Sequence, residues 1–218
     1  KVRFSVKPLK SNDNKVVELA RTVGIHPLAY QELPYDPEYS FYAGRLNPEV
    51  LSHATADEMY WKVRQEVIFR HTGEHPYEIS GPDAEKLLQK IFTRDISKVK
   101  VGRCSYQFAC YNDGGMLTDG VLLKLEENKF WFVQADGDLF SWYKAHTDNL
   151  NVKISDPDVW VSQIQGPKSM DLLKVLSKET FPDNWKYFDW KEITILNEKV
   201  IISSCLLYTS DAADDSLR

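Results

Sequence analysis

Two stretches of the chain repeat one construction. In the first, residues 76–81 alternate as a short strand, and Ala84, Leu87, Leu88, Ile91 and Phe92 then recur at helical spacing. This predicts an amphipathic helix with Pro82 in its first turn. In the second, residues 160–166 read as a strand and 167–176 as a helix, again joined by a Gly-Pro step. Two strand-turn-helix units, at Gly81 and Gly166, each need a sheet partner, which points to a pseudo-repeated α+β layer rather than a solenoid. Between them, residues 104–110 and 121–125 read as strands, and 130–135 folds back across Glu126, Glu127, Asn128 and Lys129 as a hairpin. Asn112, Asp113, Gly114 and Gly115 predict a turn.

Residues 138–147 predict a helix presenting Leu139, Phe140, Trp142, Tyr143 and His146, an aromatic stripe of the kind that fills cores. Upstream, Met59, Tyr60, Val63 and Val67 follow helical spacing behind Thr55 or Asp57 as cap, predicting a helix with one face packed inward. Pro27, Pro34, Pro37 and Pro48 break long elements. Residues 1–54 are therefore expected to form an extended approach segment, with a short helix over 14–22. At the other end residues 200–202 read as a buried strand.

A chain of 218 residues, 43% hydrophobic and 12% aromatic, can bury a core of one large or two small domains. A net charge of -5 supplies no basic field for nucleic acid. No apolar run approaches the ~20 residues that span a bilayer, and no signal-peptide core opens the chain, so no membrane partner and a cytoplasmic location are expected. Cys104, Cys110 and Cys205 form no CxxC pair, and His26, His53, His71, His75 and His146 lack paired-ligand spacing, so no metal is expected. The Gly114-Gly115 pair has no dinucleotide or phosphate-loop context, and there is no GxSxG elbow.

From Cys205 to Asp215 the sequence resembles the translation of a transposon-end sequencing adapter. With Lys rather than Met at position 1, the chain is expected to be an incomplete piece of a longer protein. Residues 205–218 would be a non-native tail, with functional reading ending near Ser204.

The informative chemistry lies between. Gly102 to Tyr106 leads into the turn at Asn112 to Gly115 and then Met116, Leu117, Thr118, Asp119, Gly120 and Val121. Trp131, Phe132, Val133, Gln134, Ala135 and Asp136 follow, and then Ile164, Gln165, Gly166 and Pro167. In this order and spacing, over roughly residues 55–204, they resemble the glycine-cleavage T-protein (aminomethyltransferase) family. Arg94 to Cys104, Leu123 to Trp131, Ile164 to Ser169 and the aromatic run Tyr187 to Trp190 are most similar to the branch that demethylates dimethylsulfoniopropionate.

The resemblance implies an α+β, T-protein-like fold with ferredoxin-like sheet-helix layers around a folate cavity, here incomplete. It implies tetrahydrofolate as cofactor and a small-molecule methyl donor as partner. Asp119 matches the family's central acidic residue, set against the reactive edge of the pterin. A carboxylate there holds the pterin and stabilises positive charge that develops on it. Tyr106, Trp131 and Val133 match cavity walls, and Gln134 stands near a family Asn whose amide contacts folate. Glu74 matches a cavity position that attracts a cationic donor.

Taken from the residues alone, Asp119 is a turn-terminating surface carboxylate, Val133 is sheet packing, and Glu74 is equally a solvated strand-edge carboxylate. Arg70, His71, Thr72 and Gly73 replace the family's Asp-Val-Ser-His, a charge reversal that departs from glycine cleavage. The family's later Gly-Tyr-Glu element falls beyond Ser204, so the chain alone is expected to be inactive. The rival readings are transfer of an aminomethyl or methoxy-derived carbon, and a noncatalytic folate-binding module.

Overall fold

A computed structural model describes residues 23–177, 179–181 and 185–205. The helix expected over 14–22 and the tail from residue 206 lie outside the described residues. Two 3-10 turns, Ala29–Gln31 and Leu33–Tyr35, precede a hairpin of β1 (Glu38–Tyr42) and β2 (Arg45–Val50). This is more structure than an extended segment. The turn is tight, with Ala43 and Gly44 both at positive φ (49° and 80°), the backbone hand that two-residue hairpins favour. Ala-Gly is a weak signal for such a turn, and the prolines around it masked the strands.

Helix α1 (Ala56–Gln65) begins at Thr55, whose side chain accepts from Glu58 N while Glu58 reaches back to Thr55 N, a reciprocal capping box. Its apolar face is less buried than its spacing predicts. Met59, Val63 and Val67 are half-buried, whereas Tyr60 and Trp61 are exposed.

Strand β3 (Ile68–His71) leads to β4 (His75–Ser80) and helix α2 (Ala84–Ile91), whose Ala84, Leu87, Leu88 and Ile91 are all buried. Three consecutive strands follow: β5 (Cys104–Cys110), β6 (Met116–Glu126) and β7 (Lys129–Gln134). Helix α3 (Leu139–Ala145), capped by Asp138, leads to β8 (Lys153–Ser155). The main sheet is antiparallel with order β5-β6-β7-β4-β8. Helices α2 and α3 cover one face, where Ile79, Leu87, Leu88, Ile91, Ala109, Leu122, Phe130, Phe132, Leu139 and Tyr143 form the principal core.

Strand β9 (Ser162–Gln165) pairs with β3, and helix α4 (Ser169–Leu176) follows it. A last hairpin, β10 (Trp190–Ile195) and β11 (Glu198–Ser203), packs Ile193, Val200 and Ile202 against Leu173 and Phe181. Residues 200–202, expected as a buried strand, are strand but only partly covered.

The repeated construction has one geometry in both copies. Gly81 and Gly166 each sit at φ 123°, and each is crossed by a carbonyl from the neighbouring segment. A Cβ on Gly81 would lie 2.7 Å from Asn151 O. One on Gly166 would lie 3.0 Å from Val67 Cα and nearer still to Glu66 O. The crossing carbonyls accept from the first turn of the helix that follows, Asp83 N to Asn151 O (3.3 Å) and Lys168 N to Glu66 O (3.0 Å). Each glycine thus locks strand, helix and crossing segment together.

Candidate active site

Strand alternation sends the two halves of β5, β6 and β7 to opposite faces. The face away from α2 and α3 carries Cys104, Tyr106, Val121, Leu123, Leu125, Trp131 and Val133, with Phe188, Trp190 and Ile201 folding over one end. In register, Tyr106 stands opposite Val121 and Val121 opposite Val133, while Phe108 stands opposite Asp119 in the next row. Tyr106 and Asp119 are therefore diagonal neighbours, within reach of a long side chain. The Tyr106 hydroxyl donates to Asp119 Oδ2. Burial, that hydrogen bond and the Asp119 charge all push the Tyr106 phenol up, so it stays a donor. Among the described residues no group donates to the other oxygen of Asp119.

Four of the expected site residues, Tyr106, Asp119, Trp131 and Val133, thus share one face. Trp131 stands two rows from Asp119, roughly 13 Å along the strands. Its indole N–H donates to Glu78 Oε2 (3.0 Å), which also meets Lys129 Nζ at 3.3 Å. Gln134 is a correction. Its odd-even position puts it on the helix-covered face, fully buried, where Nε2 donates to Gly137 O (2.8 Å) and Oε1 accepts from Leu139 N (3.3 Å). It holds the start of α3 and cannot also face the opposite side of the sheet.

Glu74 is buried rather than solvated. Oε1 accepts from Gln163 Nε2 (3.0 Å) and Oε2 from the Thr72 hydroxyl. The connection between Glu74 and Asp119 is Tyr42 at the end of β1. Its ring packs on Gly73, where a Cβ would come within 2.9 Å of Tyr42 Cβ. Burial and then the charges of Glu74, Asp136 and Asp119 push its phenol up. Asp136 Oδ1 accepts from Ala43 N (2.9 Å) and Gly137 N (2.8 Å), while the His75 ring bridges Ala43 O (3.1 Å) and Asp156 (2.8 Å). The β1–β2 turn is thereby pinned beside the Asp119 end of the sheet.

Sequence reasoning missed Tyr42 and Asp136. The local sequence offers only the alternation of Tyr42 with Ser40 and the Ala43-Gly44 pair after it, neither of which marks a site. The resulting site is a patch of three carboxylates and three aromatic rings, Tyr42, Tyr106 and Phe108, with Tyr106 and Phe108 edge to face at 5.3 Å. Such a patch favours a cation beside a flat apolar body. Among the described residues no group of three or more His, Cys, Asp or Glu is placed to hold a metal ion. Burial raises the Cys104 thiol to about 12, which keeps it protonated and unreactive.

Residues 26–213 match the family model described as the GCVT N-terminal domain. The chain belongs to that family. It is 30% identical to the dimethylsulfoniopropionate demethylase of Ruegeria pomeroyi over 76% of this chain and 45% of that protein. It is 27% identical to the aminomethyltransferase of Symbiobacterium thermophilum over 65% of this chain and 40% of that one. The chain therefore spans less than half the length of these curated relatives. The glycine cleavage aminomethyltransferase T of Bartonella henselae superposes with a TM-score of 0.68 at 17% identity, covering 79% of this chain and 48% of that one. That likeness establishes the α+β, T-protein-like fold of this GCVT-domain chain. No helix among its described residues is long and apolar enough to cross a membrane.

Proposed function

We propose that the protein bearing this chain moves a methyl group from a small cationic donor, a sulfonium such as dimethylsulfoniopropionate, to tetrahydrofolate. The observation that carries this reading is the Tyr106–Asp119 hydrogen bond at one end of an aromatic and apolar sheet face, with Asp136 held against Ala43 and Glu74 following the Gly73 on which Tyr42 packs. The donor set suits a folate. One carboxylate oxygen is held by a phenol, and Val121, Val133 and Phe108 offer flat apolar cover for a pterin.

When bound, tetrahydrofolate supplies the amine nitrogen that accepts the one-carbon group. Asp119 holds the pterin edge and stabilises positive charge arriving there, and Tyr106 fixes the carboxylate so that little reorganisation is needed. Glu74, Asp136 and the Tyr42 ring draw the cationic donor to the same end of the sheet. Methyl transfer releases the donor sulfur as a neutral thioether and leaves the accepting nitrogen with one proton to lose, and Asp119 stabilises the positive charge there until that proton departs. A second reading, aminomethyl transfer, is favoured by the 27% identity to an aminomethyltransferase.

Titration of tetrahydrofolate into the protein and its Asp119→Asn variant, followed by methyl-transfer assays with sulfonium, methoxy and N-methyl donors, separates these readings. Binding that weakens in the variant, with turnover of the sulfonium, is expected. Folate binding without turnover of any donor would leave a noncatalytic folate module, and unchanged behaviour of Asp119→Asn would remove the site assignment.

A further inference from the structure

The main sheet has an edge at β5, and that edge is only partly closed. Pairing with β6 turns the backbone groups of Ser105, Gln107 and Ala109 inward, and those of Cys104, Tyr106 and Phe108 outward. Chain meets the outward groups at both ends. Cys104 N donates to Phe188 O (2.7 Å), and Phe108 O accepts from Thr93 N (3.1 Å). Between them, at Tyr106, no strand pairs with the edge among the described residues. A guanidinium stands there instead, with Arg94 Nη1 donating to Tyr106 O (3.2 Å).

The gap is a cleft of about 480 Å³ bounded by Arg94, Arg103, Cys104, Tyr106, Tyr187 and Phe188. Its two arginines differ in what already occupies them. Arg103 braces the turn below, donating to the Asp189 carboxylate and to Tyr187 O (3.0 Å). Arg94 is exposed, and among the described residues no carboxylate pairs with it. The neighbouring Asp95 is directed away, toward Lys98 Nζ at 3.3 Å and Ser97 N at 3.1 Å. Among the described residues only one of the five N–H donors of Arg94 is used. The remaining wall is aromatic, with Tyr187 and Phe188 stacked at 3.9 Å.

We propose that this cleft binds the carboxylate of a small aromatic acid, with Arg94 and the outward Tyr106 N–H receiving the carboxylate and Tyr187 covering the ring. A planar guanidinium fork matches a carboxylate, and the volume suits a ligand of that size. Two sources share this chemistry. One is the aminobenzoyl-glutamyl end of a folate, which rests on the folate reading above and draws on the position of Tyr106, whose side chain holds Asp119 while its backbone lines the cleft. The other is a free aryl carboxylate, which does not depend on that reading.

Four probes distinguish the outcomes when titrated calorimetrically into the chain: p-aminobenzoyl-glutamate, benzoate, glutarate and 6-methyltetrahydropterin. The first is expected to bind, to weaken about tenfold or more in Arg94→Gln, as a lost charge-assisted contact does, and to weaken in Tyr187→Leu. Glutarate, without a ring, is expected to bind at least several-fold less tightly. The pterin is expected to respond to Asp119→Asn and not to Arg94→Gln. Failure of the pterin to bind while the aryl acids bind through Arg94 would sink the folate reading and leave the cleft to a free aryl acid. No binding of either aryl acid, or affinities unchanged in Arg94→Gln and Tyr187→Leu with circular dichroism intact, would overturn the proposal.

Discussion

Replacing Gly166 by Ala tests whether the crossing carbonyls lock the repeated strand-turn-helix units. Two costs add. A residue with a Cβ at φ 123° occupies a region of backbone space left almost entirely to Gly, at about 1–3 kcal/mol. The added carbon also overlaps Glu66 O and lies 3.0 Å from Val67 Cα, and relieving the overlap loosens the Lys168 N to Glu66 O bond, worth about 1 kcal/mol. The sum is about 3 kcal/mol. Gly114→Ala is the control, since Gly114 has φ 87° but nothing within 4 Å of its would-be Cβ. It bears the backbone term alone, about 1–2 kcal/mol. Urea unfolding followed by tryptophan fluorescence should therefore place Gly166→Ala below Gly114→Ala by about 1–2 kcal/mol, or roughly 2–8 °C in Tm for a chain of this length. Equal midpoints for the two variants would refute the lock.

The other predictions concern the site and its surroundings. Tyr106→Phe removes the phenol that holds Asp119 and should weaken tetrahydrofolate binding about fivefold or more at little cost in stability; unchanged affinity would mean that the phenol does not position the carboxylate. Glu74→Gln keeps an acceptor for Gln163 but deletes a charge, so affinity for a sulfonium should fall while that for its neutral thioether holds, as competition binding would show. Gln134→Leu leaves Gly137 O and Leu139 N without their buried partner, which should cost about 1–3 kcal/mol of stability with folate affinity intact in calorimetric titration. Burial, then His71 and Arg45, lower His26 to about 4, and burial lowers His71. Unfolded imidazoles return to about 6.5, so the unfolded chain binds more protons in that window. Stability from this pair is full above about 6.5 and is lost as pH falls toward 4, and His26→Gln should flatten that slope in pH-dependent urea melts.

Where local periodicity was strong, the sequence carried the fold. The stripe through Ala84, Leu87, Leu88 and Ile91 became α2, and β5 appeared with the expected bounds, whereas β6 runs Met116–Glu126, well beyond the expected 121–125. Two hairpins escaped notice because their turns lack the usual residues. Ala43-Gly44 and Leu196-Asn197 both adopt positive φ, yet neither reads as Asn-Gly or Asp-Gly, and context rather than turn propensity selects them. The site was legible in part for a related reason. Alternation fixes that Tyr106, Asp119, Trp131 and Val133 share a face, and the same parity sends Gln134 to the other side, a consequence that residue-by-residue resemblance overlooked. Tyr42 is invisible from its own neighbourhood, because only the folded chain brings β1 to Asp119.

That last junction governs how the protein assembles. Ala43 and Asp136 are 93 residues apart in the chain, and His26 reaches Ser162 across 136. Loops of such length close late and at an entropic cost that local helices and hairpins do not carry. The main sheet can therefore form while the Asp119 end stands open, and the wall that carries Tyr42 arrives as one of the final events of folding. Conditions or truncations that loosen residues 23–50 should yield a chain with native helical signal and a buried core but no competent site, a separation between being folded and being finished.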